Sequence, residues 1–227
     1  MRSHEIVLDW VERELAGHRL RVGDRLPGER ALAEELGISR AAVREGLRVL
    51  EVLGLLRSGV GSGPGAGTVV VAEPALAIGA ALRMHLASEH LRTDDVVQTR
   101  VLLEGWAARN ARADAPQLDD ARALLGQMDE AGLAAPLFLD RDAAFHVAIA
   151  GATGNPLVSA MMASLRESIR DYTLALTERL PDWERTADRL RAEHRAILAA
   201  IEAGRRDEAA ELITAHITGY YEEAAAS

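Results

Sequence analysis

Apolar positions recur along this chain in two rhythms, and the change between them divides it. Ile6, Val7, Trp10, Val11 and Leu15 share one side of a helix over residues 4–16. A second helix over 28–36 offers Ala31, Leu32 and Leu36 to a core and stops at Gly37, a residue suited to the turn that ends a helix. In the segment that follows, Val43, Leu47 and Leu50 stand at i, i+4 and i+7, which gives that helix one face to bury. The rhythm then shortens. Residues 55–57 and 68–71 are short β-prone runs flanking a glycine-rich stretch, 58–67, and together they predict a hairpin with a long tip. From Pro74 onward no strand pattern remains. Helical segments are predicted at 74–87, 94–112, 116–131, 136–151, 155–179, 183–203 and 205–224, with Pro116, Pro136, Pro156 and Gly204 as punctuation. Seven helices with short connections form an antiparallel bundle.

Composition narrows what such a chain can do. The 227 residues are 48% apolar and only 4% aromatic, enough for two modest helical domains. No uncharged apolar run reaches the ~18 residues of a membrane span, and the first 17 residues form an amphipathic helix and not a signal peptide. A cytoplasmic protein with no membrane partner is expected. The absence of cysteine excludes disulfides, thiolate metal sites and cysteine nucleophiles. The sequence has no lysine either, so all 26 basic residues are arginine, which excludes a Walker A loop and Schiff-base chemistry. The net charge of −9 is unevenly placed: residues 1–73 hold 10 Arg against 11 acidic residues, and the remainder 16 against 24. The acid therefore belongs to the second half, and the arginines between Arg30 and Arg57 can still form a local positive face.

Helix, turn, helix and hairpin is the order of a winged helix-turn-helix, expected over residues 1–72. Arg40, Arg44 and Arg48 lie four apart, a row rising about 6 Å per step opposite the apolar face. Such a row is either an ordinary solvated face or a phosphate- and groove-following one. Ser39 stands at the N-cap, leaving the positive end of the helix beside Arg40. The run Leu26-Pro27, Glu29-Arg30, Leu32-Ala33, Ser39-Arg40, Val43-Arg44-Glu45, Leu47, Leu50 and Gly54-Leu55 resembles the amino-terminal domain of GntR-family transcription regulators. It departs from that pattern at Gly28, where the family commonly has Ser, and in a longer wing. The resemblance implies binding to a double-stranded DNA operator, with contacts from Arg30, Ser39, Arg40, Ala41, Ala42 and Arg44 and from Gly61 in the wing.

Residues 73–227 are expected to form an all-α bundle. Arg100-x-x-Leu103-Glu104, Asp142-x-x-Phe145-His146-x-x-Ile149-Ala150, Gly154-Asn155-Pro156-Leu157, Glu193-His194-Arg195-Ala196-Ile197, Ala203-Gly204 and Ala215-His216-Ile217 resemble the FCD effector domain of the FadR subgroup of that family. Asp142 and His146, at i and i+4, project from one helix with Cβ atoms about 5–6 Å apart. His194 and His216 sit in apolar runs of the last two helices. Any one of these histidines alone reads as a core residue with a single hydrogen bond. Together with Asp142 they form a candidate three-nitrogen, one-oxygen set for a divalent ion, zinc first, with nickel or manganese as other choices. His4, His18 and His90 read as surface residues.

Arg100 is a candidate partner for a small carboxylate effector, or else a helix-surface pair with Glu104. Asn155 reads as a helix cap or a ligand contact, and Arg170, Tyr172 and Trp183 as pocket residues or packing. Glu193 points roughly 100° away from its neighbour His194, which argues against a general base serving the cluster. The resulting expectation is a non-enzymatic, dimeric regulator that binds a palindromic operator and responds to an organic acid. The alternative is a metal-dependent hydrolase with an accessory DNA-binding domain.

Overall fold

The computed structural model describes residues 4–59, 67–130 and 132–225. Contacts divide the chain into two compact units, Met1–Ala77 and Ile78–Ser227. The protein is mainly α-helical, a winged helix-turn-helix followed by an all-α unit. No helix among the described residues is long and apolar enough to cross a membrane.

The first unit holds α1 (Glu5–Ala16), α2 (Glu29–Leu36), α3 (Arg40–Val52) and the antiparallel strands β1 (Leu56–Gly59) and β2 (Gly67–Val70). Val7, Trp10, Val11, Leu32, Ala33, Val43, Leu47, Leu50, Leu56 and Val70 form its core. Leu32 brings its neighbour Ala33 inside with it and leaves Ala31 exposed, so the burial of α2 is turned by one position from the expected face. α1 crosses α3 at Gly46, where an added Cβ would lie 2.6 Å from the Val7 Cβ and 3.0 Å from the His4 carbonyl oxygen. Only glycine permits that approach. The sheet pairs Leu56 with Val70 and Gly59 with Gly67. Residues 23–26 lie along the other side of β2, with the Leu26 N–H donating to Thr68 O and the Val70 N–H to Asp24 O, both at 2.9 Å. That pairing has no sequence signal, because Gly-Asp-Arg-Leu-Pro lacks both alternation and β-branched residues. The expected wing contact Gly61 lies outside the described residues.

The remainder comprises α4 (Pro74–Ala87), α5 (Thr93–Asn110), α6 (Gln117–Met128), α7 (Ala135–Gly151), α8 (Pro156–Ser168), α9 (Arg170–Leu176), a 3-10 turn (Thr177–Arg179), α10 (Trp183–Glu202) and α11 (Arg206–Ala225). Among the described residues eight helices thus replace the predicted seven, because 155–179 is not continuous. It breaks at Ile169, which leaves helical geometry at φ −113° and ψ 9°. On either side, the Ser168 and Thr173 hydroxyls donate back to the carbonyls of Leu165 and Ile169, a competition with the helix ladder that bends helices without any Gly or Pro. Phe138, Phe145, Ile149, Leu118, Met128, Leu190, Ile197, Ile213 and Ile217 fill the core, each contributing about 1.5–3 kcal/mol by leaving water. α11 packs along α5 and α10, and α7 along α6 and α8. Polar side chains on the inward faces of α5, α7, α8, α10 and α11 meet within this shell.

Candidate metal centre and nucleic-acid interface

α3 presents the expected basic row to solvent. Ser39 is extended at φ −71° and ψ 149°, and its Oγ accepts the Ala42 N–H at 3.1 Å, so the helix begins where the cap requires. Arg40, Ala41, Arg44 and Arg48 are exposed while Val43, Gly46, Leu47 and Leu50 are buried. Arg44 is held by Glu29 of α2: Nε and Nη2 donate to the two carboxylate oxygens at 3.2 and 2.9 Å. Arg30 is exposed, with Glu34 at 3.9 Å. The surface therefore carries a row of guanidinium groups on the helix of a helix-turn-helix that faces water, a shape that fits a major groove.

In the second unit Asp142, His146, His194 and His216 converge, all buried. The Oδ1 of Asp142 is 3.0 Å from His194 Nε2, 3.6 Å from His146 Nε2 and 3.7 Å from His216 Nε2. The Nε2 atoms of His146 and His216 face each other at 3.2 Å. Donors bound about 2.1 Å from one ion stand about 3.0–3.5 Å apart; the separations of 3.0 and 3.2 Å fall within that range, and those of 3.6 and 3.7 Å lie just outside it. The far side of the rings agrees. Glu193 Oε2 lies 2.8 Å from His216 Nδ1, and Glu104 Oε2 lies against His146 Nδ1. Carboxylates there fix the tautomer and aim Nε2 at the common point, the arrangement found behind metal-bound imidazoles.

Electrostatics supports the same fit. Burial opposes a charge on His216, yet Asp142 and Glu193 raise its pKa above the usual value: this point in the protein favours positive charge. Burial, followed by the neighbouring His216, pushes His194 down to about 3, so it stays neutral with a free lone pair. Burial also opposes ionisation of Asp142, but Arg166 and His146 hold its carboxyl well below the ordinary range. Neutral His194 and ionised Asp142 are ready to ligate a divalent ion, which at His216 would take the place of a proton. The N3O donor set suits zinc or nickel, and such an ion, when bound, supplies Lewis-acidic positions for a ligand oxygen.

Residues 5–69 match the bacterial regulatory proteins of the gntR family, and residues 95–219 match the FCD domain. The chain is a GntR-family transcription regulator with an FCD domain. It is 30% identical over 223 residues to the HTH-type transcriptional regulator LutR of Bacillus subtilis (strain 168), covering 90% of this chain and 96% of that protein. It is also 30% identical over 199 residues to the Glc operon transcriptional activator of Escherichia coli (strain K12), covering 83% and 76%. Among solved structures, Streptococcus agalactiae GntR superposes with a TM-score of 0.69 at 23% identity, covering 97% of this chain and 99% of that one. That likeness speaks to the fold.

Around the FCD cluster lie residues that sequence spacing does not reveal. Glu104, 1% exposed, accepts the Arg100 Nε–H at 2.8 Å besides touching His146. The Arg100 and Glu104 pair is therefore internal and not on the helix surface. Arg100 Nη1 also donates to the Tyr221 hydroxyl at 2.8 Å. Arg166 of α8 donates through Nη1 to Asp142 Oδ2 at 2.6 Å. Glu193 does face away from His194, as the 100° rotation requires, but that rotation carries it to His216 on α11. It serves the cluster as a ring-orienting carboxylate.

A cavity of about 470 Å³ adjoins the cluster, lined by Arg100, Asp142, Arg166 and Arg170 and by an apolar wall of Ala143, Ala144, Val147, Ala163 and Ile169. Of the expected effector contacts, Arg100 and Arg170 line it. Asn155 does not: its side-chain oxygen accepts the Leu157 and Val158 N–H groups and caps α8. Trp183 packs edge-on against Phe138, ring centroids 5.4 Å apart, and Tyr172 stacks on Tyr221.

Proposed function

We propose that this regulator binds a palindromic operator as a homodimer and senses a small carboxylate at a divalent-metal site formed by Asp142, His146, His194 and His216. The observation that carries the reading is the convergence of three Nε2 atoms and Asp142 Oδ1 beside an arginine-lined cavity, within a chain that also carries an exposed recognition helix. One winged helix reads only a few base pairs, so specificity requires two copies on a two-fold site. Arg40 and Arg44 reach base edges, and Arg30 and the Ser39 helix end reach phosphate, with Ala41 and Ala42 allowing close approach. Arg100 and Arg170 contribute the positive wall of the effector site. The names of relatives point to organic-acid metabolism: one is the putative L-lactate dehydrogenase operon regulatory protein of Escherichia coli (strain K12), 26% identical over 228 residues.

The hydrolase alternative fits less well. Glu193 and Glu104, the carboxylates nearest the cluster, are both engaged with imidazole Nδ1 atoms and with arginines, and the named relatives regulate transcription. The deciding experiment measures metal content of the purified chain, then anisotropy of a labelled duplex from its own upstream region with and without L-lactate and hexuronic, keto and dicarboxylic acids. Bound zinc or nickel at one ion per chain, and an operator affinity that moves with one class of acid, is the expected outcome. A metal-free chain whose DNA affinity ignores every acid refutes the reading.

A further inference from the structure

The three imidazoles of the cluster differ on the side that faces away from Asp142. His216 has Glu193 Oε2 2.8 Å from its Nδ1, and His146 has Glu104 Oε2 against its own. His194 has no such backing. Its Nδ1 carries almost no accessible surface and has no hydrogen-bond partner among the described residues, where its ion-pair partner is Asp142, on the Nε2 side. The ring is wholly buried, with Phe145 tilted over it at 4.7 Å between centroids. Helical rotation puts it there: His194 shares the inward face of α10 with Leu190, Ile197 and Ile201, while the carboxylate one residue earlier, Glu193, is turned to His216 on α11.

A neutral imidazole keeps one N–H and has two nitrogens on which to place it. Without an ion, Asp142 sets the choice at His194. Its Oδ1 is 3.0 Å from Nε2, and a ring lone pair turned toward an anionic oxygen over that distance is repelled, so the proton belongs on Nε2. Nδ1 then keeps a lone pair, and no buried donor is stranded. An ion on Nε2 reverses the choice, because it takes that lone pair and sends the proton to Nδ1. There His146 and His216 meet a carboxylate, and His194 meets no acceptor. Coordination through His194 thus strands a buried N–H, a cost of about 10-fold in affinity. It also lacks the carboxylate backing that is worth about 10–100-fold at a ligating imidazole.

Building on the metal reading above, we propose that His194 is the exchangeable ligand of the centre: Asp142, His146 and His216 hold the ion, and His194 is the donor bound most weakly and released first. In the metal-free chain the same ring is the N–H partner of Asp142. One side chain therefore alternates between the Asp142 carboxylate and the ion, and its proton changes nitrogen each time with no net gain or loss of protons. The three rings carry the same donor atom, and their unequal surroundings divide the work among them.

The test uses the full-length chain with isotopically labelled histidine, stripped of metal and then titrated with zinc. Long-range proton–nitrogen correlation reads which ring nitrogen is protonated, and loss of a signal set in His194→Ala assigns it. The stripped chain should show His194 protonated at Nε2, and zinc should move that proton to Nδ1. In competition with a chromophoric chelator, His146→Ala and His216→Ala should each lose about 10-fold or more zinc affinity beyond what His194→Ala loses. Glutamine versions of the three are titrated beside them, and circular dichroism identifies the folded ones. His194 protonated at Nδ1 in the stripped chain, or a folded His194 variant that loses as much zinc affinity as folded variants of the other two, overturns the proposal. A wild-type chain that binds neither zinc nor nickel overturns the metal reading itself, and is recognised by a tautomer that is the same with and without added ion.

Discussion

Replacing Glu104 by glutamine isolates what one buried charge does for the proposed metal centre. The substitution keeps volume and leaves an oxygen to accept from Arg100, but it removes the negative charge that backs His146 and balances Arg100. Burial opposes the ionised carboxyl, and His146, Arg100 and Arg166 overcome it, so the native group is charged at any working pH. Breaking a buried ion pair from one side costs about 3–5 kcal/mol, and because glutamine preserves one hydrogen bond the lower end, about 3 kcal/mol, is expected. In a chain of this size that is a fall of about 6–12 °C in the melting temperature of metal-free protein. Loss of the carboxylate behind a ligating imidazole weakens metal binding by about 10–100-fold. Calorimetry of the stripped protein gives the first number and a zinc competition titration the second. Replacing both partners, Glu104→Met with Arg100→Met, exchanges the pair for apolar groups and should be more stable than Glu104→Gln without recovering zinc affinity. A Glu104→Gln chain with native melting temperature and native zinc affinity would refute the reasoning.

His146→Ala with His194→Ala should abolish stoichiometric metal by elemental analysis, and full retention of the ion would falsify the site. Arg44→Ala should lose about 1–3 kcal/mol of specific operator binding and relax the preference at one base pair per half-site, measured by anisotropy on operator and single-base variants. The metal-free chain should be most stable near pH 6.5. Below that, the unfolded state takes up a proton at His194 that the folded state, with a pKa of about 3, refuses, so stability falls on acidification by up to about 1.4 kcal/mol per unit. Above it, the raised pKa of His216 means stability is lost as pH climbs through the folded value. Urea titrations across pH check this. His194→Gln should flatten the acid side only, and an unchanged acid limb in that variant would show the assignment to be wrong.

The parts of this fold that local chemistry specifies were legible in the sequence. Val43, Leu47 and Leu50 announce α3, Ser39 its start and Gly37 the turn before it, because period and capping are properties of a few adjacent residues. The cluster of Asp142, His146, His194 and His216 was legible for a related reason: Asp142 and His146 are neighbours on one helix, and a histidine inside an apolar run stands out. Glu104 and Arg166 were not. A charged pair four residues apart reads the same whether water or protein surrounds it, and only tertiary packing shows that Arg100 and Glu104 lie inside. Arg166 meets Asp142 across 24 residues of chain and two helices, with no spacing rule to connect them. The break at Ile169 was hidden for want of Gly or Pro, and Asn155 proved to be a cap because its neighbour Pro156 fixes the first turn of α8.

On the reading proposed above, in which Arg44 meets a base edge, the clasp between Glu29 and Arg44 bears on how operator sequences are told apart. Glu29 occupies Nε and one hydrogen of Nη2, which leaves Nη1 and the outward hydrogen of Nη2 facing solvent as a second, end-on fork. A guanidinium in that state can meet O6 and N7 of a guanine without first giving up its carboxylate. A free arginine side chain carries about 2 kcal/mol of rotamer entropy, and much of this is surrendered when α2 packs on α3 rather than when DNA arrives. The loss on association is smaller, and a misplaced base cannot be accommodated by swinging the side chain elsewhere. In that reading, holding this one residue in place would turn a sticky cation into a discriminating one.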